Sequence, residues 1–256
     1  MSNKFLNYKR YDLNQSDATI LKSGGWLTSD CLQFAFASII NNTDGSLTHS
    51  KFAFLNPLTI MMLSHGDTET QASIVEDCDL TAKDLIFIPL NDADATSSTN
   101  RGTHWRLLIY CKSNASFHLY DSSSSSSGGT DLGTQANGLV NCLAPFLINT
   151  NGQVGETFTL LKPRTHMNSA RRCTCVQEKC PQQENGYDCG AFVISIVKFL
   201  YTSFSNDAHT YASPSDVSNS MLECVTQEQV TKDRVGLYAR AVELRQEQEQ
   251  DAAEKK

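Results

Sequence analysis

The segment CPQQENGYDCGAFVISIV at residues 180–197 runs from a polar turn directly into a continuous apolar stretch. Cys189 stands at the end of the turn, and residues 191–197 have the composition of a buried helix. A thiol at the mouth of such a helix faces the positive end of the helix dipole, which favours thiolate over thiol. The segment therefore predicts a helix that begins beside a candidate nucleophile.

Two polar residues upstream flank a predicted β-hairpin. His104 comes before its first apolar strand and Asp121 directly follows its second, so both lie at the same end of the hairpin. Each residue alone has an ordinary structural interpretation: a packed surface histidine, a strand-end cap and, for Cys189, a small core side chain. Their combination indicates a Cys-His-Asp catalytic set, and Gln183 adds a candidate oxyanion donor.

The order of these motifs resembles a known family. His104-Trp105, Tyr120-Asp121-Ser122 and the run from Gln183 to Gly190 are similar to the Ulp/sentrin-specific cysteine proteases, which cleave ubiquitin-like modifiers from conjugates and precursors. The likeness covers most of the chain and is nearest to the deneddylase branch, which acts on the Nedd/Rub modifier. The segments that follow the family's order are GGWLTSDCLQFAF (24–36), LIFIPLND (85–92), GTHWRLLIY (102–110) and FHLYDS (117–122).

The resemblance implies a fold and a role for each catalytic residue. The fold is α+β, a papain-like, Ulp-type cysteine protease with a small mixed sheet packed with helices and the nucleophile at a helix N-terminus. Cys189 attacks the carbonyl of the modifier's terminal glycine, and His104 acts as general base and then as acid. Asp121 fixes the imidazole tautomer, and Gln183 with the Cys189 backbone N–H holds the oxyanion.

The resemblance also implies substrate-binding residues. Trp26 and Trp105 flank a narrow tunnel for the modifier's Gly-Gly tail, because two flat indoles admit a tail without side chains and exclude bulkier residues. Without the family likeness, ordinary core packing would be the preferred explanation for both tryptophans. Asn91 and Asp92 keep residue types that lie near the modifier tail in the deneddylase branch.

One segment departs from the family pattern. Relatives carry an Asn-Asp pair after Trp-Leu, whereas this chain has Thr28, Ser29 and Asp30. The acid that meets the basic tail of the modifier is therefore missing or displaced by one residue. We expect catalysis to be unaffected and the preference for the Nedd/Rub modifier over SUMO to be weaker than in relatives.

Helices and strands follow from apolar spacing, capping residues and turn residues. The predicted helices are 26–40, 56–63, 134–147, 191–204 and 230–245, the last amphipathic through Val235, Leu237, Tyr238, Ala241 and Leu244. The predicted strands are 85–90, 107–111, 117–120 and 158–161. Segments 92–102 and 122–130, the second rich in serine, are predicted loops on either side of the catalytic pair.

Length and composition set the domain organisation and exclude several classes of partner. With 256 residues and 40% hydrophobic content, we expect one protease domain over 1–245 and a polar tail over 246–256 that frays. A net charge of −7 argues against a nucleic-acid partner and suits a basic protein tail as substrate. We expect a monomer whose partners are the ubiquitin-like modifier and its conjugates.

Targeting signals and cysteine usage bear on the compartment. The N-terminal sequence lacks an apolar signal region, and no segment approaches the ~18 apolar residues of a membrane span. The nine cysteines are odd in number and scattered, which favours reduced thiols over a disulfide framework. The sequence therefore predicts a cytoplasmic or nuclear protein that has no membrane partner.

A cysteine-rich stretch precedes the catalytic turn and raises the alternative of a zinc site. It contains His166, Cys173, Cys175 and Cys180, which are zinc-binding residue types. The paired Cys-x-x-Cys spacing of structural zinc sites is absent, so we expect an insertion without metal. We expect no cofactor either, because the thiol mechanism needs none.

Three other functions stay open from the sequence. A desumoylase would use the same catalytic residues on a different modifier, and an acyltransferase would use a related cysteine protease scaffold. Gln183 and the paired tryptophans favour a protease over the acyltransferase. A non-catalytic binder of a ubiquitin-like protein would be expected to lack a catalytic residue, and none is missing here.

Overall fold

The computed structural model describes residues 4–8, 10–40, 49–92, 102–123, 131–148, 175–205 and 211–254. The strands are β1 (Lys4–Tyr8), β2 (Tyr11–Asn14), β3 (Phe52–Phe54), β4 (Leu85–Asn91), β5 (Trp105–Cys111), β6 (Ser116–Tyr120) and β7 (Cys175–Gln177). The helices are α1 (Gln15–Ser23), α2 (Ser29–Ile40), α3 (Pro57–His65), α4 (Thr68–Asp77), α5 (Asp131–Leu147), α6 (Cys189–Ser205), α7 (Ser218–Cys224) and α8 (Gln227–Glu254).

A five-stranded mixed sheet forms the centre of the fold, with strand order β3-β4-β5-β6-β7. The outer pairs, β3 with β4 and β6 with β7, are parallel, whereas β4, β5 and β6 form an antiparallel meander. Strands β1 and β2 form a separate hairpin that packs on α2 and α8. The predicted α+β class, with helices on a small mixed sheet, is confirmed.

Both faces of the sheet are buried, which explains why β4 is almost wholly apolar rather than alternating. On one face Phe87, Leu107 and Ile109 belong to the core that includes α2, α6 and α8. On the other face Ile86, Ile88 and Leu108 pack with α3, α4 and α5. The sheet is therefore a rigid layer between two helical layers, and its β5–β6 hairpin holds the loops that carry the site.

Several predicted elements are found with small changes at their ends. Helix α3 begins as expected, because Asn56 caps it by accepting from the Thr59 backbone N–H at 2.9 Å and a proline follows the cap. Strands β4, β5 and β6 and helices α5 and α6 lie where they were predicted. The helix predicted from Trp26 begins at Ser29 instead, and the predicted strand at 158–161 lies outside the described residues.

Seven short elements were missed: the strands β1, β2, β3 and β7 and the helices α1, α4 and α7. Helix α1 carried a readable signal, because Asn14 and Asp17 form a reciprocal capping box. The strand β3 has only three residues and no alternation, since it is buried throughout. Its pairing with β4, rather than its own pattern, makes it a strand.

The last helix has most of its predicted apolar stripe, since Ala241 and Leu244 are buried and Leu237 and Tyr238 pack against the core, but it differs in some residues and in length. Its buried face is Val230, Arg234, Ala241 and Leu244, whereas Val235 from the predicted stripe is 50% exposed. The tail expected to fray is helical to Glu254. Residues of high helix propensity and pairs such as Arg245–Glu249, at 2.9 Å, stabilise this exposed end.

No helix within the described ranges is both long enough and apolar enough to cross a bilayer.

Phe87 tests the packing of the central layer. Its ring stacks on Phe54 with centroids 4.7 Å apart, and the side chain is fully buried. We expect Phe87→Ala to lower the free energy of unfolding by about 3–5 kcal/mol, because the cavity lies between sheet and helices. Chemical denaturation measures this loss. Leu58→Ala is the control, since Leu58 is 61% exposed, and a similar loss in both variants would contradict this account of the core.

Candidate active site

The turn before α6 is held by its own side chains. The Asn185 side-chain oxygen accepts hydrogen bonds from the backbone N–H groups of Tyr187, at 3.1 Å, and Asp188, at 3.0 Å. The Asp188 carbonyl then accepts from Phe192 N–H at 2.9 Å, which opens the helix. Cys189 is the first residue of α6 and is buried, so its thiol lies at the N-terminal end of a 17-residue helix, as predicted.

Gly190 allows the start of α6 to approach the hairpin closely. A Cβ at this position would lie 3.0 Å from the Leu27 Cβ and 3.1 Å from the Trp105 Cδ1. The Trp105 indole N–H donates to the Leu27 carbonyl at 2.8 Å, so these two neighbours are also fixed relative to each other. A side chain at residue 190 would therefore push the nucleophile away from the strand that follows His104.

The hairpin brings His104 and Asp121 together at its open end. His104 Nε2 lies 2.8 Å from Asp121 Oδ1, and the same oxygen accepts from the Ser123 backbone N–H at 2.9 Å. Because an ionised carboxylate only accepts, Nε2 carries the proton in this pair. The ring also hydrogen-bonds with Cys189, which leaves Nδ1 as the nitrogen that faces the thiol.

The surroundings of His104 stabilise its charged form. Burial alone lowers the pKa of the imidazole, but hydrogen bonds and charge interactions with Asp121 and Cys189 outweigh burial and raise the pKa to about 9. The imidazolium is therefore retained well above neutral pH. A lasting imidazolium beside a cysteine at a helix N-terminus is the environment in which reactive cysteines are found.

Asp92 holds the segment that carries His104. Its Oδ1 accepts from the backbone N–H groups of Thr103, at 2.5 Å, and His104, at 2.8 Å, and its Oδ2 accepts from the Thr103 hydroxyl at 2.8 Å. Burial raises the pKa of this carboxyl, but the hydrogen bonds outweigh it and the net pKa is lowered. Asp92 was predicted to bind substrate; its carboxylate holds the backbone before β5, and contact between Asp92 and a modifier stays a prediction.

Asn91, also predicted to bind substrate, is half-buried at the end of β4. Its carbonyl accepts a hydrogen bond from the Gln135 side chain at 2.8 Å. This bond ties the first turns of α5 to the strand end beside Asp92. Contact between Asn91 and a modifier stays a prediction.

Gln183 lies between the catalytic turn and the end of β6. Its side-chain oxygen accepts from the Ser122 hydroxyl at 2.9 Å, and its amide nitrogen donates to the Asn185 carbonyl at 2.6 Å. The Gln183 backbone N–H also donates to the Ser122 carbonyl at 2.8 Å. These bonds fix the amide beside the residue that follows Asp121.

The two tryptophans have different surroundings. Trp26 is 55% exposed, and its indole N–H donates to the Gly186 carbonyl of the catalytic turn at 2.8 Å. Trp105 is only 4% exposed and packs against Gly190. Trp26 therefore presents a flat surface beside the turn, whereas Trp105 packs against the start of α6. Contact of either ring with a modifier stays a prediction.

The segment that departs from the family pattern forms the entry to α2. Thr28 donates its hydroxyl to Asp17 at 2.8 Å, and Asp17 is fully buried. Ser29 and the exposed Asp30 form the first turn of the helix. Partial desolvation raises the pKa of Asp30, and the negative charges of Asp17 and Asp12 raise it further. Apart from the capping box that Asp17 forms with Asn14, no sequence pattern indicates that the Asp17 carboxylate is buried.

The cysteine-rich stretch is only partly described. His166 and Cys173 lie outside the described residues, while Cys175 is exposed on β7 and Cys180 is half-buried. Within the described ranges, no three His, Cys, Asp or Glu side chains are grouped so that they could hold a metal ion. The expectation that the stretch binds no zinc stays a prediction.

A thiol at a helix start, beside an imidazole that a carboxylate orients, is the site of a cysteine protease. Residues 27–237 match the profile of the Ulp1 protease family, C-terminal catalytic domain. The chain therefore belongs to the Ulp1 protease family, and the predicted family and enzyme class are confirmed.

Curated relatives resemble the chain over most of its length. Human sentrin-specific protease 8 is 27% identical over 230 residues, which cover 90% of this chain and 92% of that protein. NEDD8-specific protease 1 of Arabidopsis thaliana is 28% identical over 204 residues, which cover 79% and 77% of the two chains. These names agree with the predicted likeness to the deneddylase branch.

Solved structures support the fold. The Ulp1 protease domain in complex with Smt3, the yeast orthologue of SUMO, superposes with a TM-score of 0.59 at 17% identity and covers 94% of this chain and 87% of that one. A de-sumoylating protease superposes with a TM-score of 0.63 at 15% identity and covers 98% and 95%. At these identities the comparison establishes the fold alone.

Sequence reasoning missed a buried ion pair behind the nucleophile. Arg234 Nη2 lies 2.5 Å from Asp188 Oδ1, and both side chains are buried. A signal was present, because Arg234 interrupts the buried stripe of α8 four residues after Val230. A charge in the apolar face of a helix requires a buried partner, and Asp188 is that partner.

The titration of His104 tests this electrostatic account. We expect its imidazole to lose its proton at about pH 9, so that the stability from its ion pairs is complete below its ordinary pKa of 6.5 and is lost as pH rises through about 9. NMR titration of the ring measures this pKa, and His104→Gln assigns the resonance. Asp121→Asn should lower the pKa, and an unchanged value there would contradict the assigned pair.

Proposed function

We propose that this protein is a thiol isopeptidase and endopeptidase that cleaves after the C-terminal Gly-Gly of a NEDD8-type modifier, in deconjugation, precursor processing or both. The observation that carries the proposal is the placement of His104, which is hydrogen-bonded to Asp121 at 2.8 Å and to Cys189 at the start of α6. The proposed catalytic residues are Cys189, His104 and Asp121, with Gln183 in the oxyanion hole.

In the first half of the reaction the Cys189 thiolate attacks the carbonyl carbon of the terminal glycine, and the carbonyl oxygen becomes an oxyanion. The oxyanion accepts hydrogen bonds from the Cys189 backbone N–H and from Gln183. An amide group carries two N–H donors, and the bond to Asn185 uses one of them, so one is left for the oxyanion. The Gln183 amide is therefore held in position and keeps one N–H to donate to the oxyanion.

The leaving amine takes its proton from the His104 imidazolium, and a thioester joins the modifier to Cys189. Neutral His104 then removes a proton from water, and the hydroxide attacks the thioester carbonyl. The modifier leaves with a free carboxylate, and the proton on His104 restores the thiolate–imidazolium pair. Throughout, Asp121 accepts from the same ring nitrogen, so Nδ1 stays directed at the reacting atoms.

The surface beside the nucleophile suits a tail without side chains. Trp26 is exposed on one side and its indole is tied to Gly186, so the ring cannot swing away without breaking that bond. Two glycines pass a flat aromatic wall with little steric demand, whereas a branched residue at either position would collide with it. This favours a protease that reads a Gly-Gly terminus over a general peptidase.

A relative's name supports NEDD8 as the modifier, since the NEDD8-specific protease 1 of Arabidopsis matches most of the chain. SUMO is the second candidate, because the Ulp1 domain that superposes on the fold was solved with Smt3. The first relatives share more identity with this chain than that structure does, which favours NEDD8.

We further propose that the protein works in the reducing environment of the cytoplasm or nucleus. The eight cysteines within the described ranges are all free thiols, including the exposed Cys175 and Cys224. A thiol nucleophile keeps its activity only where it stays reduced.

Covalent capture tests activity and modifier class together. We expect the protein to form an adduct with NEDD8 vinyl sulfone faster than with the SUMO or ubiquitin probes, because the probe places an electrophile where the scissile carbonyl would lie. Cys189→Ala should form no adduct yet still bind the modifier. Cys224→Ala, an exposed cysteine variant, is the control and should react as the parent does. An adduct in Cys189→Ala at the parent rate would contradict the proposed nucleophile.

Ser29→Asp tests the acid missing from the entry to α2. We expect this change to raise kcat/KM for a NEDD8 substrate about tenfold, because one charge-assisted contact with a basic tail is worth about 1.5–3 kcal/mol. Steady-state cleavage of NEDD8 and SUMO fluorogenic amides measures the preference. Ser29→Asn controls for shape without charge. If the unmodified protein cleaves SUMO faster than NEDD8, the function belongs to the desumoylase branch.

A further inference from the structure

Arg234 makes more contacts than charge neutralisation requires. Its side chain lies in the buried face of α8, only 5% exposed, and pairs with Asp188, which is 6% exposed. A buried ion pair is weak evidence for stability, because removing two charges from water offsets most of their attraction. We expect the pair to act by fixing geometry. The groups that hydrogen-bond to Arg234 and Asp188 show which segments are held.

One arm of the guanidinium reaches the catalytic turn. Nη2 lies 2.5 Å from Asp188 Oδ1, and the other oxygen of this carboxylate accepts from Asn185 at 2.6 Å and from Gln227 at 2.7 Å. Asp188 directly precedes the nucleophile, and its carbonyl starts the hydrogen bonding of α6. The position of Cys189 therefore depends on a carboxylate that α8 holds through Arg234 and Gln227.

The other arm reaches the loop that carries Trp26. Nη1 donates to the carbonyls of Gly25, at 2.9 Å, and Ile20, at 3.2 Å. Gly25 has φ 130° and directly precedes Trp26, so its backbone is in a region that other residues rarely adopt. The hydrogen bond to the Gly25 carbonyl fixes the backbone just before Trp26, and the indole bond to Gly186 fixes the outer end of the Trp26 side chain.

Tyr187, in the catalytic turn, lies near both the guanidinium and the loop that carries Trp26. Its ring lies 5.8 Å from the Arg234 guanidinium carbon, and a Cβ at Gly24 would come within 3.2 Å of the same ring. The Trp26 loop and the catalytic turn therefore touch the same planar cation from two sides.

We propose that Arg234 is a positioning residue that sets the spacing between Trp26 and Cys189, the two sides between which the modifier's tail must pass. This inference rests on the proposed function and adds a determinant of tail recognition outside the catalytic residues. Arg234 touches no substrate, and it acts through Asp188 on one side and Gly25 on the other.

The Arg234→Lys variant distinguishes the effect of the positive charge at residue 234 from the effect of the guanidinium's shape. An ammonium group keeps the positive charge for Asp188, but it is a compact point charge and cannot span a carboxylate and a carbonyl as the guanidinium fork does. In Arg234→Lys the turn keeps its ion partner and the Gly25 carbonyl loses its donor. The loop is then free to shift while the nucleophile and His104 stay in place.

The experiment compares the parent, Arg234→Lys and Arg240→Lys, an exposed arginine on the same helix whose partners are glutamates of α8. For Arg234→Lys we expect kcat/KM on a NEDD8 C-terminal fluorogenic amide to fall about tenfold, mostly through KM, as loss of one hydrogen bond to a charged group does. Iodoacetamide, which needs no threading, should alkylate Cys189 at the parent rate. Arg240→Lys should match the parent in both.

The outcomes separate the possible failures. An unchanged kcat/KM in folded Arg234→Lys overturns the inference, and so does an equal fall in cleavage and in alkylation, which would mean general damage to the site. If Arg234→Lys fails to fold, Asp188→Leu/Arg234→Met removes both buried charges, and parental cleavage by that variant overturns the inference instead. A parent that reacts with none of the modifier probes overturns the proposed function, and the inference with it.

Discussion

The close approach of α6 to the β5–β6 hairpin is the constraint on which the site depends. The helix supplies the nucleophile, the hairpin supplies the imidazole and the carboxylate, and no chain connection fixes their spacing. The contact of Gly190 with Trp105 and Leu27 sets it, because a glycine lets the helix come within van der Waals distance of an indole. The buried sheet supports the hairpin and the apolar core holds α6. The imidazole of His104 and the thiol of Cys189 therefore meet although they belong to separate elements.

Behind the reacting groups lies a layer of polar residues that act on backbone rather than on substrate. Asp92 holds the N–H groups of Thr103 and His104, and Asp188 holds the turn before Cys189. Ser122 joins the end of β6 to Gln183. His104 and Cys189 are thereby fixed through the residues that precede them, which leaves their own side-chain atoms for the reaction. This layer explains how a site built on loop ends can be held in position.

Local sequence was sufficient for the parts of the fold that carry strong signals. Three segments predicted their elements correctly: the apolar run after Cys189, the two strands around 107–120 and the Asn-Pro start of α3. In each, the spacing of apolar residues and the capping or turn residues indicate the same element. The β3 strand and the Arg234 pairing could not be predicted in this way. Strand β3 exists through its partner β4, and Arg234 meets Asp188 across 46 residues, a separation at which no local pattern has information. The place of Arg234 in the buried face of α8 was missed for the same reason, since its partner is distant in sequence.

The course of α8 also has a consequence for synthesis. The helix that pairs with the catalytic turn follows it in the chain, and its far end lies against the N-terminal hairpin, where Gln248 donates to the Asn7 carbonyl and Arg245 lies over the Phe5 ring. A nascent chain that has emerged only as far as Cys189 has its nucleophile, imidazole and carboxylate but lacks Arg234. The turn acquires its buried cation only after α8 has left the ribosome, so the catalytic turn reaches its final geometry later than the synthesis of Cys189 itself.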